Sequence, residues 1–203
     1  MLGLCGEGFP VWLSTSYNPK RKLAHTLELV EAGGTLVGVN THRANTIAEE
    51  AVREGLVPEL AGYRSLRREV KYAGNSRIDL LLEDEAKPPC YVEVKSVTLR
   101  RNTEEKRGIA EFPDAVTARS TKHLHALAEM VREGARAVML YLAQRGDCRE
   151  FRIADDIDPA YAKAYEQART AGVEILRYDC KLSPAGIVLG GPFPLARNRL
   201  KNT

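Results

Sequence analysis

Hydrophobic and polar positions change period several times along this chain, and the changes outline its elements. The first forty residues read as β. Val11-Trp12-Leu13, Leu27-Glu28-Leu29-Val30 and Leu36-Val37-Gly38-Val39 are short apolar or alternating runs, with Gly33-Gly34 as a turn between the last two. Three strands are too few to close a barrel, so this module either leans on the rest of the chain or lacks part of itself. From Thr41 the period shifts toward that of a helix. Thr46-Ile47-Ala48-Glu49 fits a capping box, Ile47, Ala51 and Val52 recur at helical spacing, and Gly55 can stop the helix. A basic, strand-like stretch over 63–72 precedes two strands, 78–82 and 90–99, and a charged loop is expected over 100–113. The spacing over 117–133 predicts the best helix, with Leu124, Leu127, Ala128 and Val131 as its apolar stripe and Gly134 as its stop. The run RAVMLYLA (136–143) is nearly continuous in apolar residues, as a strand covered on both faces would be, and 149–153 is expected to pair beside it. Asp158-Pro159 opens a further helix ending at Gly172, and 173–178 is a last strand. Gly190-Gly191-Pro192 reads as loop punctuation, and the basic tail after Pro194 as frayed. The order from Thr41, α-β-β-β-α-β-β-α-β, argues for a mixed sheet flanked by helices.

Composition adds bounds. A chain of 203 residues suffices for one sizeable α/β domain plus a small module. No apolar run reaches membrane-spanning length, and the N-terminus lacks the basic and apolar regions of a secretory signal, so the cytoplasm is the expected location. Four scattered cysteines without a C-x-x-C pair point to free, buried thiols rather than to zinc or disulfides. A net charge of +3 permits a nucleic-acid partner without demanding one. Local clusters say more: Pro19-Lys20-Arg21-Lys22, then Arg64, Arg67, Arg68 and Lys71, then Arg100, Arg101, Lys106 and Arg107. A single such cluster is more often a solvated face, but three in one modest chain shift the balance toward a polyanion.

The candidate chemistry lies in the two strands on either side of the polar, proline-containing segment 83–89, which predicts a hairpin. If Leu82 pairs with Cys90, Asp79 falls opposite Glu93, and side-chain alternation puts Glu93 and Lys95 on one face. Two carboxylates that close repel unless one is protonated or a cation lies between them. A hard ion such as Mg²⁺ or Mn²⁺ takes oxygen donors, here Asp79, Glu93 and the Val94 carbonyl. Lys95 would then orient or deprotonate the attacking water, or neutralise phosphate charge. The plainer alternative is a solvent-facing strand with a weak ion pair, against which stands the apolar sequence around the charges. Glu50 lies beside the apolar stripe of the first helix, where it either looks inward toward the hairpin or is solvated. Arg119 and Lys122 share the helix face opposite Leu124 and Leu127, with His123 between the faces, positioned for phosphate contact or for solvent alone. His123-x-His125 is not a helical metal pair. Walker A, GxGxxG and nucleophile-elbow patterns are absent.

At these residues the chain resembles the sugar fermentation stimulation protein family (SfsA). The resemblance runs from about Met1 to Pro194 and is carried most specifically by Ser76-Arg77-Ile78-Asp79, by Tyr91-Val92-Glu93-Val94-Lys95-Ser96-Val97-Thr98-Leu99 and by Phe112-Pro113-Asp114-Ala115-Val116-Thr117. Asn18-Pro19-Lys20-Arg21-Lys22, Glu69-Val70-Lys71-Tyr72 and Gly172-Val173-Glu174-Ile175-Leu176 add to it in the right order. It implies an OB-like β-module, partial here (residues 1–40), followed by a PD-(D/E)xK nuclease-like domain (41–203). It further implies DNA binding, a proposed role in regulating sugar metabolism, and a nuclease-like site on Glu50, Asp79, Glu93 and Lys95. Family members are longer at the N-terminus, where further strands of the OB-like module lie. Where the family carries an Arg-Gly-Gln-Lys-His-Leu-like stretch, this chain has Arg119-Ser120-Thr121-Lys122-His123-Leu124. The expectation is a Mg²⁺- or Mn²⁺-dependent DNA phosphodiesterase. Asp79, Glu93 and Lys95 would be catalytic, Glu50, Asp79 and Glu93 would hold the metal, and Arg21, Lys22, Arg100, Arg101, Arg119, Lys122 and His123 would meet nucleic acid. The alternative is a DNA-binding regulator that does not cut. A homo-oligomer is compatible with either reading; a sugar sensor has only the family name behind it.

Overall fold

The computed structural model describes residues 3–73, 76–101 and 108–196. Lys106, Arg107 and the tail from 197 onward lie outside the described residues. The N-terminal alternation produces strands β1 (Val11–Thr15), β2 (His25–Ala32) and β3 (Thr35–Gly38), an antiparallel sheet in that order, with Gly33 and Gly34 turning at φ +61° and +75°. This sheet leans on the rest of the chain: the Gly38 amide donates to the Gln144 carbonyl at 2.9 Å.

Helix α1 (His42–Arg53) begins four residues before the apparent capping box, so Thr46 and Glu49 lie inside it. Its start is marked by Asn40, whose Oδ1 accepts from the His42 amide at 3.2 Å. Its stripe of Ala44, Ile47, Ala48 and Ala51 is buried. The end is as the sequence indicates: Gly55, at φ +71°, bonds back to Val52 while the Leu56 amide reaches Ala51.

A short 3-10 turn (Pro58–Leu60) leads to β4 (Ser65–Tyr72), β5 (Ser76–Asp84) and β6 (Lys87–Val97). β7 (Ile109–Phe112), α2 (Ala118–Arg132), β8 (Arg136–Ala143), β9 (Glu150–Ile153), α3 (Pro159–Thr170), β10 (Glu174–Ser183) and β11 (Gly186–Pro192) follow. The main sheet has the order β11-β10-β8-β6-β5-β4. Its centre, β6-β8-β10, is parallel and its flanks are antiparallel. α1 covers one face, packing on Leu80, Val92, Leu140 and Leu142, while α2 and α3 cover the other over Met139 and Tyr141. Residues Ala137 to Ala143 of β8 are at most 1% exposed, which is why that strand needs apolar side chains at every position. Each Leu or Val there contributes about 1.5–3 kcal/mol by burial.

Three stretches differ from the sequence expectation. Strand β7 lies within the segment read as a loop, and it pairs in parallel with β9, so β9 is not beside β8, whose two edges β6 and β10 occupy. β7 is disguised by Glu111, which is buried against Arg101 and Arg152. Gly190 and Gly191 belong to β11, and at Gly190 the need for glycine is steric. A Cβ at Gly190 would collide with the Asp179 carboxylate, which accepts from the Gly191 amide at 2.5 Å. In the β5–β6 hairpin the strands run on to Asp84 and Lys87, and Pro88 and Pro89 sit opposite Glu83 alone, a bulge that tolerates their missing donors. Cys90, Cys148 and Cys180 are buried free thiols, whereas Cys5 is exposed. No described helix is long and apolar enough to cross a membrane.

Candidate active site

The Leu82↔Cys90 register expected from the sequence is the one present, and the paired positions run back to Leu80↔Val92. Beyond that pair a side chain replaces the ladder: the Val94 amide donates to Asp79 Oδ2 at 2.7 Å. From the other direction, Asn45 Nδ2 on α1 donates to Asp79 Oδ1, also at 2.7 Å. Asp79 is thereby held at both oxygens where β5 and β6 part.

Glu93 lies on the face of β6 that α2 covers and is 2% exposed. Its Oε1 receives Lys95 Nζ at 2.8 Å and also contacts His123 Nδ1. A carboxylate only accepts, so the His123 contact requires the proton on Nδ1. Lys95 Nζ lies 3.3 Å from the same nitrogen. Glu93 Oε2 is buried and has no hydrogen-bond partner among the described residues. These groups border a cleft of about 410 Å³ that Arg119 and Ser120 line from α2 and Thr117 from its N-cap.

The two carboxyls are tuned in opposite directions. Burial raises the Asp79 pKa to about 6 with help from the Glu93 charge, against the Val94 amide, Lys95 and Asn45. Burial also disfavours ionised Glu93, but the His123 hydrogen bond and the nearby positive charge of Lys95 outweigh it and hold Glu93 below its ordinary value. The cleft is therefore short of positive charge at Asp79 and at Glu93 Oε2. Oxygen donors in that position suit a hard divalent cation. Among the described residues no group of three or more His, Cys, Asp or Glu converges on one point. The oxygen donors that the hairpin itself contributes are Asp79, Glu93 and the Val94 carbonyl, and Glu111 and Asp114 also line the cleft.

Asp79, Glu93, Lys95 and His123 are brought together, with Arg119 at the cleft wall. Glu50 is not brought there. It is exposed and lines a separate cavity on another side of α1, because five residues along a helix turn the side chain well away from the face that carries Asn45. His123 is buried on Glu93 and not displayed outward. Arg100 is ion-paired to Asp147, and Arg101 to Glu111 and Asp156, so these two serve the fold rather than an open basic surface. Arg21 and Lys22 are exposed in the β1–β2 connection, where Arg21 Nη2 also donates to Thr26 Oγ1 at 2.9 Å, and Lys122 is exposed on α2. Within the second basic cluster, Arg64, Arg67 and Arg68 pair with Glu85, Glu83 and Glu49. Asn45 escaped the sequence reading because nothing in its local pattern marks it; only the docking of α1 on the hairpin gives it a role.

Comparison with known proteins places the chain in context. Residues 42–186 match the family described as the sugar fermentation stimulation protein RE domain, and residues 1–39 match the SfsA N-terminal OB domain. A sugar fermentation stimulation protein homolog of Maricaulis maris is 55% identical over 193 residues, 95% of this chain and 80% of that protein. The homolog of Rhodospirillum centenum is 60% identical over 187 residues, 92% of this chain and 78% of that one. The structure of Pyrococcus furiosus SfsA in complex with Ca²⁺ aligns with a TM-score of 0.81 at 26% identity, covering 92% of this chain and 78% of that chain.

Proposed function

Since the chain belongs to the sugar fermentation stimulation protein (SfsA) family, we propose that it is a nucleic-acid-binding protein that hydrolyses DNA phosphodiesters with a divalent metal at the β5–β6 hairpin. The observation that carries this reading is Glu93 Oε2, a buried carboxylate oxygen without a donor among the described residues, beside an Asp79 whose pKa burial pushes up to about 6. Such a pair asks for a cation. Mg²⁺ or Mn²⁺ fits its oxygen donors, and the Ca²⁺ bound by Pyrococcus furiosus SfsA is a cation of the same hard class. Asp79, Glu93 and the Val94 carbonyl would hold the metal, which would polarise the scissile phosphate and offset its developing charge.

The chain's own groups do the rest. Asn45 and the Val94 amide fix the Asp79 carboxylate, so little rearrangement is needed on loading. His123 occupies Glu93 Oε1 and leaves Oε2 for the cation. Lys95, tied to Glu93 but still carrying further N–H donors, holds a phosphate oxygen or the attacking water. Arg119, exposed at the cleft wall, meets an adjacent phosphate.

The test is cleavage of single- and double-stranded DNA by the wild type and Lys95→Ala, with Mg²⁺, Mn²⁺ or EDTA. Metal-dependent cutting that falls at least a hundredfold in the variant is expected; equal cutting by both proteins contradicts the assignment. A second reading is a DNA-binding regulator that does not cut, and one observation favours it: the Lys95 ammonium is closed into an ion pair with Glu93. In that case DNA binding weakens steeply with salt and persists in Lys95→Ala.

A further inference from the structure

Between the N-terminal sheet, α1 and the β10–β11 turn lies a second cavity, of about 300 Å³, to which no part of the proposed hydrolysis belongs. Its lining includes Trp12, Leu29, Ile47 and Ile187, an aromatic and aliphatic wall, and the polar groups Glu28, Arg43 and Glu50. A defect in strand pairing builds it. Trp12 pairs with Leu29 and Leu13 with Leu27, so Glu28 is left over in β2 as a bulge. The bulge lies at the cavity wall, which Trp12, Leu13, Ser14, Glu28 and Leu29 border.

The polar groups are not equivalent. Glu28 is saturated: it accepts from Ser14 at 2.6 Å, from Asn40 at 3.0 Å and from Arg43 at 3.1 Å. Arg43 gives Nε and Nη2 to Glu28 while its side chain stays 48% exposed, and the Glu50 charge also acts on it. The Glu50 carboxylate accepts no hydrogen bond from any described residue, whereas its backbone carbonyl accepts from the Glu54 amide. The cavity is therefore bordered by an indole, by one carboxylate that no described side chain occupies and by one half-exposed cation.

We propose that this cavity binds a guanine base, stacked on Trp12, with its Watson–Crick edge on Glu50 and its phosphate toward Arg43. A carboxylate presents two acceptors. Guanine answers with two adjacent donors, N1–H and the 2-amino group, whereas adenine and cytosine each set a ring acceptor beside their single amino group. Stacking on an aromatic ring is indifferent to the base, so selectivity falls to Glu50. The guanine comes from a free nucleotide or from a nucleic-acid strand, and the pocket chemistry is the same for both. The site is separate from the Asp79–Glu93 cleft and stands whether or not that cleft cuts DNA.

The chain has a single tryptophan, so its emission reports on this cavity. Trp12 fluorescence is titrated, without divalent metal, with GMP, AMP, CMP and UMP, and with seven-residue oligothymidylates that carry or lack one central guanine. Saturable quenching by GMP, at least tenfold tighter than by the other mononucleotides, is expected, as is its loss by tenfold or more in Glu50→Gln. Tighter binding of the guanine-containing oligomer than of GMP identifies a strand as the source; the reverse order identifies a free nucleotide. Linear, base-independent quenching overturns the proposal, and so does saturable quenching that is unchanged in Glu50→Gln. The circular dichroism spectrum of Glu50→Gln, an exposed position, serves to show that the variant is folded.

Discussion

Asp79 is a hairpin carboxyl whose surroundings disfavour its charged form. Its pKa of about 6, against 3.8 for the ordinary group, comes first from burial and then from Glu93. The folded protein therefore keeps a proton that the unfolded chain has already lost between pH 4 and 6. Stability from this residue is complete below pH 4, declines as pH rises toward 6 and stays lower above it. Asp79→Asn removes that loss. In metal-free buffer the variant is expected to match the wild type near pH 4 and to exceed it by about 3 kcal/mol near pH 8, as measured by urea unfolding. Added Mg²⁺ is expected to restore the wild type and leave the variant unchanged. A variant less stable than the wild type at pH 8 contradicts this account of the Asp79 environment. The asymmetry between Asp79 and Glu93 could not be read from their spacing. It depends on Asn45 and His123, contributed by two different helices on opposite sides of the sheet.

At the scale of elements, the sequence is most readable where one physical demand dominates. The β8 run is apolar because it is covered on both faces, and the helix stops at Gly55, Gly134 and Gly172 are legible because each sits at positive φ and closes the same end motif. The β5–β6 register was legible because one slip would move every core residue to the wrong face. Elements stabilised by a distant partner were hidden. β7 carries a charge whose arginine partners lie elsewhere in the chain, and β11 carries Gly190, whose reason is the Asp179 side chain in β10. The second case is testable. Gly190→Ala forces a methyl group onto the Asp179 carboxylate, so it is expected to cost about 2 kcal/mol in thermal or urea unfolding. Gly186→Ala, where an added Cβ meets nothing within 4 Å, is expected to cost less. Equal costs contradict the steric reading of β11.

Across the whole molecule, α1 is the element that joins the parts. Near its start Asn40 and Arg43 hold Glu28 of the N-terminal sheet, two residues later Asn45 holds Asp79, and its apolar stripe packs on the main sheet. One side of the helix borders the carboxylate cleft and another the Trp12 cavity. The basic residues divide in the same spirit. Arg100, Arg101, Arg64, Arg67 and Arg68 are committed to ion pairs, so a polyanion is left chiefly with Arg119, Lys122 and the Arg21–Lys22 connection. That division was invisible in a net charge of +3 and in clusters counted along the chain. The claim on which the functional reading rests is that the hairpin is a cation site. The direct measurement is calorimetric titration of Mn²⁺ into the metal-free wild type and into Glu93→Gln near neutral pH, with circular dichroism to show that both are folded. One site in the wild type, weakened at least tenfold in the folded variant, is the predicted result; no binding to the wild type, or equal binding to both proteins, contradicts it.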